Sequence, residues 1–395
     1  MKRLAKVMLI FSWVVLTLLS GAGEVRAEVV PAPDADPVLK ESLDNLNLEE
    51  LEKFKNHIDG ELSSYLSGKS LVQWLGDFVR GEWKLDAGEI VKNLLYYFFR
   101  EVTANSGLLG KLLILGVVTA LLVNLQSAFE GEGVARISYL VCFLALLAIA
   151  LGSFRYVLEI GYGTIESMTD FMVGILPQMM ILVAGMGSIN ASAMMFPLMT
   201  VATSTFANVI QHVVFPLIIL SAVLGLLDVA SDTIKVQRLG KLVSSLVVLL
   251  LGFFMTVFVG LLSLKTVYGG AMDQVALRAT QFVTGYFPVV GGFLSDALEF
   301  AVGYIAILKN ALSIFGLIIV FGICIFPLLK IGAIILIYKI SAALIEPMGD
   351  TRTAQALEVM GHHLTLVLGA VAAVALMFFI MFTIVAGVAN HGALL

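Results

Sequence analysis

Charge is what this 395-residue chain has least of: 13% of its residues are Asp, Glu, Lys or Arg, against 59% hydrophobic, where soluble domains carry roughly 25% charged residues. That scarcity excludes an ordinary water-soluble domain. Cysteine is nearly absent. Cys142 and Cys324 each sit inside an apolar run and read as small buried hydrophobes, so neither a disulfide framework nor a metal site is expected. No H-E-x-x-H occurs, which removes the zinc-protease arrangement of two histidines on one helical face. The adjacent His362 and His363 are expected to mark the end of a cytoplasmic loop. Gly185, Gly187 and Ser188 with His212 give an intramembrane serine-protease pattern no support, because no glycine follows Ser188. With no G-x-x-x-x-G-K-[ST] the chain cannot bind and hydrolyse nucleotide for itself, so energy for any transport comes from an ion gradient or a partner. No two glycines are four apart, which excludes a G-x-x-x-G dimer face. No catalytic residue, cofactor, metal or nucleic-acid partner is expected, and the chain does not read as an enzyme.

What is present is long apolar runs. Each run of 18 or more residues can cross a hydrocarbon core about 30 Å thick at 1.5 Å per residue, so the expected fold is all-α and polytopic. Spans are expected near 108–128, 137–158, 168–187, 192–210, 213–230, 242–264, 282–302, 304–328, 331–347 and 364–389, eight to ten in all. Leu312–Ile345, whose only charges are Lys330 and Lys339, would be about 51 Å long as one helix. Pro327 is the natural break.

Lys2, Arg3 and Lys6 precede the run Val7–Leu19 and then Val25-Arg26-Ala27. This reads as a secretory signal over 1–27, cut after Ala27, with an uncleaved anchor as the alternative. Residues 28–105 are the one sizeable polar region, read as a small helical extracytoplasmic domain. Leu51, Phe54, Ile58, Leu62 and Tyr65 form one apolar stripe there, and Tyr96–Phe99 resembles an interfacial aromatic belt. The membrane domain is expected over 106–395. With the mature N-terminus outside, the loop 231–241 with Lys235, Arg238 and Lys241 falls in the cytoplasm, as the positive-inside tendency asks.

Two motifs recur at an offset of 111 residues. Phe171-x-x-Gly174-x-x-Pro177 matches Phe282-x-x-Gly285-x-x-Pro288, and Phe215-Pro216-Leu217 matches Phe326-Pro327-Leu328. The register predicts a duplicated core, with copies near 165–230 and 276–347 in parallel orientation. Broken helices of this kind are tolerated where protein or a water-filled cavity covers them, so the paired motifs would line a path. The alternative is that Gly and Pro simply permit close packing. Ionisable or polar residues inside runs are the other site candidates. Lys339 and Glu346, seven apart, would share a helix face and could pair, unless Lys339 snorkels to the headgroups. Gln211 and His212 read as partners in a helix–helix hydrogen bond rather than in catalysis.

The segment Arg278–Gly291, then Leu308-Lys309-Asn310, Phe326-Pro327-Leu328-Leu329-Lys330-Ile331 and Tyr338-Lys339, together with the leading signal and acidic helical region, resemble the stage III sporulation protein AE family of endospore-forming bacteria. The likeness runs from about residue 60 to the C-terminus. It implies a multi-spanning protein of the mother-cell membrane around the forespore. Its implied partners are other membrane and ring-forming subunits and an ATPase related to secretion motors, in a channel or secretion-like complex required for forespore development. It assigns no catalytic residues. An autonomous secondary transporter, or a non-conducting scaffold, is the alternative reading of the same pattern.

Overall fold

Within hydrocarbon every backbone amide must find its partner in the chain, which is why apolar runs fold as helices. The computed structural model describes residues 87–128, 132–186, 189–231, 235–260 and 288–387. The signal-like segment 1–27, residues 28–86 of the polar region with its stripe, and Phe282 and Gly285 lie outside them. Every regular element among the described residues is helical: α1 (Ala87–Ala104), α2 (Ser106–Ala128), α3 (Glu132–Gly185), α4 (Ile189–Val209), a π-turn (Ile210–Val214) and α5 (Phe215–Ala230). They are followed by α6 (Gln237–Gly260), α7 (Pro288–Ile345), a 3-10 turn (Glu346–Met348) and α8 (Thr351–Gly387). Six stretches are long and apolar enough to cross a membrane. The protein is an all-α polytopic membrane protein.

Several expected boundaries are absent. The spans expected at 137–158 and 168–187 are one helix, α3; those at 304–328 and 331–347, with the described part of 282–302, are one helix, α7. Pro327 does not break α7, and Gly174 and Pro177 do not break α3. A proline inside a helix removes one hydrogen bond, but here both helices continue through it. At 54 and 58 residues, α3 and α7 are about 81 and 87 Å long, so both reach well beyond one bilayer crossing.

Helix α8 lies at the centre, its side chains buried almost all round. Val367 packs on Gly161 of α3, Val359 on Gly225 of α5, Gly361 on Tyr338 of α7, and the Phe382 ring on Gly316 of α7. Phe382 also stacks on Phe171 of α3 at 6.2 Å between centroids. α1, which the sequence assigned to the extracytoplasmic region, docks on α7 by setting Tyr97 edge-on to Phe326 at 4.8 Å. The turn between α7 and α8 closes on Gly349, whose φ of +97° is a conformation glycine adopts without steric penalty. Asp350 then caps α8, accepting from the Thr353 backbone N–H at 3.0 Å.

These contacts fix helix directions. Ser153 lies beside Tyr338 and Gly185 beside Ile305, so α3 runs antiparallel to α7. Ser221 meets His363 and Ala230 meets Arg352, so α5 opposes α8; α8 in turn opposes α7, which leaves α5 parallel to α7. Pro177 and Pro216 are on opposed arms of a hairpin, clasped by Ser192 Oγ donating to the Met180 carbonyl at 2.6 Å. Pro288 and Pro327, their matches in sequence, stand on one continuous helix, about 59 Å apart. Among the described residues the two proline pairs therefore stand in different settings and no duplicated core is shown; Phe282 and Gly285, the rest of the second motif, lie outside those residues.

Candidate functional site

The π-turn is the main irregularity in the long apolar helices. Pro216 has no N–H and its ring crowds the carbonyl one turn back. The preceding turn widens, so that Phe215 N–H reaches the Ile210 carbonyl, five residues away. The next bond of that series would run from residue 216 to the Gln211 carbonyl, and proline cannot make it. Tyr162 of α3 fills the vacancy: its hydroxyl donates to the Gln211 carbonyl at 2.8 Å, and the Gln211 side-chain amide donates to the Tyr162 carbonyl at 3.2 Å. The Tyr162 ring stands edge-on to Phe215 at 4.6 Å. A proline defect has become a two-way clasp between α3 and the α4–α5 arm.

A second polar node joins α5, α6 and α8. His363 Nδ1 is 2.7 Å from the Val359 carbonyl, so Nδ1 carries the proton and Nε2 is the acceptor. Ser221 Oγ lies 2.9 Å from Nε2 and 3.0 Å from the Gly240 carbonyl, with Ser244 Oγ beside it. The single Ser221 proton serves either acceptor, while Ser244 donates to Ser221. The serine and histidine are buried, and the second imidazole nitrogen meets a carbonyl rather than a carboxylate, so the node is a clasp and not a nucleophile–base pair. Tyr338 of α7 makes a third clasp, donating to the Ala150 carbonyl of α3 at 3.1 Å beside Ser153 Oγ.

One end of the bundle is tied by a polar latch. Arg352 donates to the Val229 and Ala230 carbonyls at 2.7 and 3.1 Å, answering the exposed C-terminal carbonyls of α5. Tyr139 donates to Asp350 at 3.3 Å, and Asn124 to the Met348 carbonyl at 3.1 Å. Asp228 accepts from the Val236 and Gln237 backbone N–H groups at 3.0 and 3.1 Å, opening α6. Among the described residues no three His, Cys, Asp or Glu side chains gather to hold a metal ion.

The sequence candidates scatter. Gln211 makes the expected helix–helix bond. Exposed His212 does not: its Nδ1 faces the Asn208 carbonyl of its own helix at 3.0 Å. Phe171, Phe215 and Phe326 are buried packing residues, and Pro216 is exposed. Gly174, Pro177 and Pro327 lie within helices, Pro288 opens α7, and Lys330 is half-buried. Lys339 and Glu346 do not share a helix face, because α7 ends at Ile345; both are exposed and no ion pair joins them. His363 is not at a loop end but inside α8. Sequence reasoning missed it, with Ser221, Ser244, Tyr162 and Tyr338; a polar residue inside an apolar run was the available signal for the serines, and nothing local marks the tyrosines.

The sequence profile of the family described as Stage III sporulation protein AE matches residues 69–389. That stretch holds all three clasps and the latch. The protein of that name from Bacillus subtilis (strain 168) is 30% identical over 393 residues, covering 96% of this chain and 98% of the relative. No solved structure matches the chain. With both the profile and a nearly full-length relative agreeing, this helical membrane protein belongs to the stage III sporulation protein AE family.

Proposed function

We propose that the protein is a membrane subunit of a channel or secretion-like complex joining mother cell and forespore, required for forespore development. Its family membership over most of the chain carries this reading, and the lack of a nucleotide-binding loop accords with a subunit that draws energy from a partner ATPase. Its partners are the bilayer, that ATPase, and other membrane and ring-forming subunits. It resides in the mother-cell membrane around the forespore with its mature N-terminus outside the cytoplasm. The latch supports that orientation: it gathers the ends of α2, α5 and α7 at one end of the bundle, where Lys235, Arg238 and Lys241 also lie, as befits a cytoplasmic face.

A packed subunit fits better than an autonomous transporter. The latter needs discontinuous helices around a substrate, whereas α3 runs unbroken through Gly174 and Pro177 and α8 fills the bundle axis with apolar side chains. The test is isolation of the tagged chain from membranes of a sporulating host, with complementation of a strain that lacks it. Ring and ATPase subunits should co-isolate, and the intact chain should restore forespore development. Isolation of the chain without those subunits, or solute movement by the purified chain alone in liposomes, overturns the reading.

A further inference from the structure

Cross-helix contacts put α1 and α3 on one scale of height, measured away from the latch. Tyr338 of α7 meets Ala150 of α3, and Gly316 of α7 and Phe171 of α3 both pack on Phe382, so α7 and α3 run side by side in opposite directions. Phe326 stands about 18 Å above Tyr338, and Tyr162 about 18 Å above Ala150, at 1.5 Å per residue. Tyr97 of α1, edge-on to Phe326, is therefore level with Tyr162. From there α1 and α2 run towards the latch, where Gly116 packs on Ile345 and Asn124 donates to the Met348 carbonyl. Tyr97 and Gly116 are as far apart along the chain as Phe326 and Ile345, so α1 and α2 keep step with α7.

On this scale two exposed stripes match. α3 exposes Glu159, Gly163 and Glu166 on one face, about 14, 20 and 24 Å above Ala150. α1, running the other way, exposes Arg100, Tyr96 and Lys92 on one face, about 14, 20 and 26 Å above the same level. Each acid thus has a base at its own height, and Tyr96, 70% exposed, stands level with a glycine. A Cβ added at Gly163 would find nothing within 4 Å. The stripes do not meet within one copy. Among the described residues no ion pair joins α1 to α3: Arg100 lies over the Tyr97 ring at 4.8 Å, and Glu159 pairs with Arg155 of its own helix. Glu166 is followed one turn on by exposed Asp170, a like-charge neighbour that repels it. The other side of the bundle differs at this level. Phe206, between Gln211 and Thr203, meets Phe254 and Phe258 of α6, and α6 exposes Leu249 and Phe253 with no charge over 242–260.

We propose that the chain associates head to tail with a second copy of itself, α1 of one copy on α3 of the next. Copies standing upright in one membrane share a height scale, so a closed ring about the membrane normal requires that the joined faces match without vertical offset. These faces do. Arg100 would meet Glu159, Tyr96 would cover Gly163, and Lys92 would meet Glu166. Because the two faces are different, the contact is heterologous and repeats from copy to copy. It stands whether lipid or water surrounds the stripes, and it does not rest on the channel-subunit reading.

Two differently tagged full-length chains test it, each with Cys142→Ser and Cys324→Ala, expressed together without other subunits. One carries Tyr96→Cys and the other Gly163→Cys. A disulfide needs Cα atoms within about 7 Å, so added oxidant should join the two tags at least about tenfold more than it joins Tyr96→Cys to Leu246→Cys on α6. Glu159→Lys with Glu166→Lys in the Gly163→Cys chain should cut the yield about tenfold by setting like charges together. Lys92→Glu with Arg100→Glu in the Tyr96→Cys chain should restore it, a recovery that misfolding would not give. A yield no higher than the α6 control overturns the proposal, as does joining of Tyr96→Cys to Tyr96→Cys in its place, or closure within one chain that carries both cysteines. Cross-linking between the tags combined with failed co-isolation of the ring and ATPase subunits would uphold the contact and sink only the complex.

Discussion

Helices α6 and α8 are both apolar enough to span a bilayer, yet α8 is buried at the centre and α6 lies at the edge with Leu242, Leu246, Leu249 and Phe253 exposed. Lipid tails are as apolar as leucine, so hydrophobicity does not draw helices together inside a membrane. The difference lies in where small residues let backbones approach and where polar groups clasp. α8 finds such sites on several neighbours, at Gly161, Gly225 and Gly316 and through His363. α6 has one contact stripe: a Cβ on Gly240 would stand 3.7 Å from the Gly225 backbone nitrogen, Ser244 joins the buried node, and Phe258 meets Phe206 at 5.2 Å. Burial here follows the number of faces that can be approached closely, not the strength of the hydropathy signal.

The sharpest way to break the comparison is to crowd one glycine on each side of it. Gly316→Leu drives a side chain into the Phe382 ring and should cost about 3 kcal/mol, the upper range for overpacking. Gly252→Leu on α6, where nothing lies within 4 Å, should leave thermal unfolding in detergent unchanged; equal losses would show that α8 is not special. Next in size, His363→Ala removes the acceptor shared by α5 and α8 and should lower stability by about 1–2 kcal/mol, read from denaturation in mixed micelles, with His363→Asn recovering part of the loss. Tyr162→Phe should cost about 1 kcal/mol and speed proteolysis or hydrogen exchange around Gln211, because that carbonyl loses the donor which replaces the missing proline N–H. Leu246→Val on the exposed side of α6 should change stability by less than about 0.5 kcal/mol, a baseline for the other three.

Much of this was legible from residue order. The all-α membrane class follows from apolar runs too long and too poor in charge for anything else, and Gln211 announced itself as a polar residue inside such a run. Boundaries were less legible. The charged residues Arg155, Glu159, Glu166 and Asp170 imply a loop when counted along the chain, but their spacings, near whole helical turns, place them on a single exposed side of α3, where Arg155 and Glu159 pair at 2.9 Å and the helix continues. Prolines misled in the same way: Pro177 and Pro327 stay within helices while Pro216 forces a π-turn, an outcome that depends on Tyr162, 54 residues earlier in the chain. The described prolines of the matched motifs share a register but not a setting, Pro177 and Pro216 on opposed arms and Pro288 and Pro327 on one helix, since equal sequence spacing cannot reveal whether the chain between them turns back.

By itself the sequence determined that the chain lives in lipid as helices, because an apolar backbone in hydrocarbon has no other way to satisfy its amides. It also determined the family, through residues spread along nearly the whole chain. Only the tertiary structure decided which helix is central, which prolines bend, and that His363, Ser221 and Ser244 meet. Those outcomes depend on contacts between residues far apart in the chain, and in a medium that favours every apolar face alike, close approach and hydrogen bonding are what remain to choose among packings.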